Sequence, residues 1–161
     1  MTTPREKATA YHEASHAVAA ISLGIRLRKR GISIERDEDS RGRAYVHKAL
    51  RANSELKATD AQRVKAEKDV IVYLAGYEGQ RIFCPRSRGG YGRDHQEAAT
   101  LICHFAGTER EVDAYMKLLQ IRTEQLLSME HIQSKIKAVA KALIERKRLS
   151  AAEVETIVWS V

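Results

Sequence analysis

Near its start the chain reads Tyr11-His12-Glu13-Ala14-Ser15-His16. His12 and His16 are four residues apart, so on a helix they stand on one face, one turn from each other. Two imidazoles at that spacing can take one zinc ion without bending the helix. Glu13 follows the first histidine, where its carboxylate can reach a metal-bound water and act as general base. With six His and 15 Glu, an H-E-x-x-H match arises by chance in roughly 2% of shuffled chains. Chance also leaves unexplained three ionisable groups at the head of the most apolar stretch. Burying them without a partner is costly, and a metal satisfies all three.

A catalytic zinc needs a third protein ligand and an open position. Outside the first helix the candidates are Asp94, His95, His47, His104 and His131. Asp94 follows the one glycine-rich run, Cys84 to Arg93 (CPRSRGGYGR). Glycines there let backbone pass close to a metal.

The elements that must position these residues are mostly helices, since Pro4 and Pro85 are the only two prolines. Thr3 caps a first helix, with Pro4 at its first position and Glu6 completing a capping box. That helix runs to about Leu23, and Gly24 suits its end. Beyond His16 it is apolar nearly all round, which predicts a central, buried position. Gly31 to Arg36 (GISIER) and Arg43 to Lys48 (RAYVHK) each alternate, predicting a β-hairpin across the turn-rich segment 37–42. A long helix is expected from about Ser54 to Phe83, with Leu56, Val64, Ile71, Leu74 and Ile82 on one stripe. Gly76 and Gly79 within it read as points of close packing. A further helix is expected from about Asp94 to near Gly107, and two or three more over 109–161. Ser150 caps the last, with Glu153 in the box position. The expected fold is mainly helical α+β, with a small hairpin beside the H-E-x-x-H helix. One domain over 1–161 is expected, its residues 1–107 carrying the site and 108–161 forming C-terminal helices.

The chain has 161 residues, 28 Lys+Arg against 21 Asp+Glu, and a net charge of +7. Its 43% apolar residues exclude disorder as the whole answer. The longest mostly apolar run, Ala14 to Ile25, is about a dozen residues, short of the roughly 20 a bilayer span needs. Basic clusters stand at Arg26–Arg30 and Arg146–Arg148, but no aromatic residue alternates with them in sequence. Solvated helix faces are therefore favoured over a nucleic-acid surface. Cys84 and Cys103 read as buried free thiols of a reducing cytosol, so a cytoplasmic location is expected. Trp159 reads as a core or docking residue. Tyr45 and His47 can flank a cleft, and an edge of the hairpin can hold an extended substrate.

AYHEASHAVAA resembles the zinc-binding helix of the FtsH-type peptidase domain, whose usual form is HEAGH followed by small apolar residues. GISIERDEDSRGRAYVH is similar to that family's following hairpin, and VYLAGYEGQRIF to its glycine-containing helix. RGGYGRDHQEAATLI resembles the segment that supplies an aspartate as third ligand. EHIQSKIKAVAKALIERKRLSAAEVETI is like its C-terminal helices. The resemblance implies a zinc-dependent endopeptidase acting on protein or peptide substrates, with one Zn2+ per chain. It makes His12, His16 and Asp94 the ligands and Glu13 the base. A registration shifted by one residue would instead put His95 at the ligand position. Ser15 stands where the family has glycine, and Gln80 where it usually has glutamate. The family's attached ATPase is not expected here, because no Walker A pattern occurs. ATP-driven degradation would then need a separate ATPase, and a homo-oligomer is compatible with the reading. Three alternatives are a regulatory peptidase of the ImmA/IrrE-like sort, a degenerate metal domain that binds protein without cutting it, and a basic helical nucleic-acid module.

Overall fold

Local capping sets the first element. The Thr3 hydroxyl accepts the Glu6 N–H, the Glu6 carboxylate accepts the Thr3 N–H, and Pro4 occupies the first turn. The helix so begun, α1, spans Pro4–Ser22, and every residue from His12 to Ala20 is buried. Just past its end, Gly24 adopts φ +76°, a conformation that glycine takes without strain. The computed structural model describes residues 2–35, 43–46 and 59–161.

Two strands follow, β1 (Leu27–Ser33) and β2 (Arg43–Val46). They pair antiparallel, with Ile32 opposite Ala44 and Leu27 opposite Val46, and the register is irregular between them. Gly31 lies in that irregular stretch at φ +68°, where a Cβ would collide with the Leu149 carbonyl oxygen. Leu149 belongs to β3 (Arg148–Leu149), which closes the other side of β1 and makes a three-stranded sheet of order β2-β1-β3. β2 is thus an edge strand among the described residues.

Helices α2 (Asp60–Phe83), α3 (Gly92–Cys103), α4 (Glu109–Ser128), α5 (Glu130–Arg146) and α6 (Ala151–Ser160) complete the order. Thr108 with Glu111 and Ser150 with Glu153 form capping boxes at α4 and α6. One apolar cluster joins α1 (Ala10, Ala14, Val18) to α5 (Ile136, Val139), the sheet (Leu27, Ile32) and α6 (Val154, Val158). A second joins α2 (Val70, Leu74), α3 (Ala98, Ile102) and α4 (Leu119). The second cluster holds α3 against α2 through Ala98 and Ile102, and so constrains where Asp94 in the first turn can reach. The result is mainly helical with a small antiparallel sheet, as the sequence predicts. No helix among the described residues is long and apolar enough to cross a membrane.

Several expectations need correction. β1 starts at Leu27, so it includes most of the basic cluster expected to be a solvated helix face, and β3 was not foreseen. α3 begins at Gly92 and stops at Cys103, before Gly107. Cys84 is half-buried and Cys103 exposed, not buried. Ala98 and Ile102 take the buried face of α3, and Cys103 lies about 100° further round. Trp159 is 72% exposed because Val154 and Val158 already form the buried face of α6. The α2 stripe is covered at Ile71 and Leu74, while Val64 and Ile82 remain exposed towards its ends. Leu56, His47 and the 37–42 turn lie outside the described residues.

Candidate metal centre

α1 and α2 cross at the glycines. A Cβ on Gly76 would collide with the His16 ring, and one on Gly79 would collide with the Ser15 hydroxyl. Only glycines let the two helices come this close while leaving the imidazole edges clear. Ser15 spends its own hydroxyl on the Tyr11 carbonyl, donating at 2.7 Å.

His16 Nδ1–H donates to the Val72 carbonyl of α2 at 2.6 Å. That bond fixes the tautomer and leaves the Nε2 lone pair facing inward. His12 presents its Nε2 to the same point, 3.1 Å from that of His16. Asp94, in the first turn of α3, brings Oδ2 to 3.0 Å from His12 Nε2 and 3.2 Å from His16 Nε2. Bonds of about 2.0–2.1 Å to a tetrahedral ion place neighbouring ligand atoms about 3.3 Å apart. The three atoms therefore form one face of such a tetrahedron, and this group can hold a metal ion.

No protein-family model matches the chain, and no curated protein matches it.

Without metal, the three groups share a proton economy. Burial works to raise the Asp94 carboxyl, but hydrogen bonds from His12 and His16 outweigh it and hold it well below the usual carboxylate range. Burial disfavours a charged His16, yet the Asp94 hydrogen bond and charge, with Glu13, push it up to about 9. A metal ion would take the place of that proton, so the donor set suits a cation. Glu13 is buried beside the histidines, and burial pushes its carboxyl up; the two histidines and the Ala44 N–H of β2 pull the other way.

The structure thus brings His12, Glu13, His16 and Asp94 together. It does not bring His95 into the group. That ring stacks on Tyr91, 4.3 Å between centroids, with Nε2 3.0 Å from the Tyr91 hydroxyl. His104 and His131 are exposed on α3's end and on α5. Gln80 is buried and donates its amide to the Ser87 hydroxyl and the Gly89 carbonyl. Gly90 at φ +91° lets the loop pass between Gln80 and His12: a Cβ there would lie 2.6 Å from Gln80 Oε1 and 3.3 Å from His12 Nδ1. His12 Nδ1 itself is buried, with no hydrogen-bond partner among the described residues. Sequence reasoning missed the roles of Val72 and Ala44. Both act through backbone groups, for which side-chain identity carries no signal.

Proposed function

We propose that this chain is a zinc-dependent endopeptidase acting on protein or peptide substrates. The observation that supports it is the convergence of His12, His16 and Asp94 on one point with Glu13 buried beside them. Imidazole and carboxylate in a three-ligand set suit zinc and leave a position open. His12, His16 and Asp94 would hold the ion, which would supply Lewis acidity to the scissile carbonyl and to the attacking water. His12 and His16 give neutral Nε2 lone pairs, and Asp94 gives a charged oxygen. Glu13 takes the proton of the attacking water and returns it to the amine nitrogen as the C–N bond breaks. Burial pushes the Glu13 carboxyl up, which favours its holding that proton between the two transfers. β2 abuts Glu13 and is an edge strand, so its backbone offers an extended substrate a place to lie.

A second reading, a metal-holding domain without turnover, draws on one observation. Among the described residues the ring of His12 has no acceptor at Nδ1, and Gln80 turns its amide to the loop instead. Ligand histidines are ordinarily oriented by such an acceptor. Metal analysis paired with a casein-cleavage assay, on the chain and on Glu13→Gln, tests both. About one zinc per chain is expected in each, with cleavage only by the parent. Cleavage by Glu13→Gln at the parent rate overturns the mechanism. Zinc without cleavage by the parent favours the second reading.

A further inference from the structure

The β1–β2 ribbon carries a feature that no single stretch of sequence displays. Ala44 and Val46 pack against the core. Strand alternation therefore turns Arg43 and Tyr45 to the opposite face. There the Arg43 guanidinium lies 5.8 Å from the Tyr45 ring centre, and Arg30 of β1 lies 5.5 Å from the same ring. Arg28 and Lys29 precede Arg30 and are exposed. Among the described residues no carboxylate pairs with these four cations. Glu35, past the end of β1, pairs with Arg148 instead. Two guanidinium groups gathered at one ring repel each other unless an anion joins them.

We propose that this face binds an acidic segment of a polypeptide, whose chain continues along β2 towards Glu13. Carboxylates of the segment pair with Arg30 and Arg43, the fork geometry for which guanidinium is suited. Ala44 links the two places: it lies between Arg43 and Tyr45 in β2, and its N–H is directed at Glu13. A polypeptide is favoured over nucleic acid because Tyr45 is half-buried and already attended by two guanidinium groups, which leaves no open platform for a base. The use of this face to select substrate rests on the peptidase reading; the binding itself does not.

The test is fluorescence anisotropy of a labelled Glu–Ser repeat peptide. It uses the full chain carrying Glu13→Gln, so that turnover cannot consume the probe. Binding should weaken with salt and fall roughly tenfold or more when Arg30→Glu and Arg43→Glu are added. Arg30→Gln with Arg43→Gln, a milder pair whose folding circular dichroism can verify, should lose affinity in the same direction. Arg110→Glu with Lys117→Glu, exposed on α4, should bind as before. Equal binding of a Gln–Ser repeat would overturn the proposal. So would oligothymidylate binding as tightly at the same salt, or full affinity in both arginine pairs. If the peptide binds as described but the parent chain cleaves no acidic-tagged substrate, this surface stands and the peptidase reading falls.

Discussion

Gly76 lies against the Nε2 edge of His16, so close that a Cβ would collide with that nitrogen and stand 2.7 Å from His12 Nε2. The backbone of α2 is thus the floor of the site, and the missing side chain keeps the ligand atoms clear. Gly76→Ala should push the rings apart and lower zinc affinity by about tenfold or more, since overpacking of this kind costs about 1–3 kcal/mol. Gly92→Ala, where nothing lies within 4 Å, should keep parental affinity. Competition against a chromophoric chelator measures both.

One turn further along α2, Gly79 and Ser15 form a second close pair. Gly79→Ala alone should destabilise by about 1–3 kcal/mol. Adding Ser15→Gly removes the colliding hydroxyl and should recover much of that loss, less the roughly 1 kcal/mol that glycine costs inside a helix. A double-mutant cycle by urea unfolding reads the coupling directly. Strict additivity of the two substitutions would show that the helices can move apart freely.

Asp94 and His95 are neighbours in sequence with different surroundings. Asp94→Ala should weaken zinc binding by more than about 100-fold, beyond the 10–100-fold typical of a group that only orients a ligand. His95→Ala should retain the metal, because its ring is engaged with Tyr91. Isothermal titration with zinc after chelator treatment separates the two. Metal lost from His95→Ala and kept by Asp94→Ala would reverse the assignment.

The pH dependence of the stripped protein follows from His16 and Asp94. The folded value for His16, about 9, lies above its ordinary 6.5, so its contribution is full below about 6.5 and is lost as pH rises through about 9. The Asp94 value is depressed below its ordinary 3.8, so its contribution is full above that value and is lost on acidification below it. Thermal melts of chelator-treated protein should therefore show stability falling from neutral pH towards about 9. Zinc needs the deprotonated imidazole, so apparent zinc affinity should rise across the same interval. A flat alkaline limb in the stripped protein would mean that His16 is not charged there.

Much of this protein is legible from local spacing alone. The His12–His16 pair needs only a helix to share a face, and Thr3 with Glu6 and Ser150 with Glu153 announce helix starts through contacts three residues long. Such interactions are fixed by the rise and turn of the helix, whatever the rest of the chain does. The sparse prolines and the alternating GISIER and RAYVHK segments likewise carry the fold class. The glycine-rich run before Asp94 marks it as a candidate ligand, but tertiary structure decided that its Oδ2, 78 residues beyond His16, comes within 3.2 Å of that ring. It also decided that the Val72 carbonyl orients His16, that Gly76 floors the site and that Arg30 meets Tyr45 across two strands. Exposure at Cys103 and Trp159 followed from which face of α3 and α6 the neighbouring helices cover. These outcomes depend on how whole apolar faces pack, and on backbone groups that every residue type shares, so no local pattern encodes them.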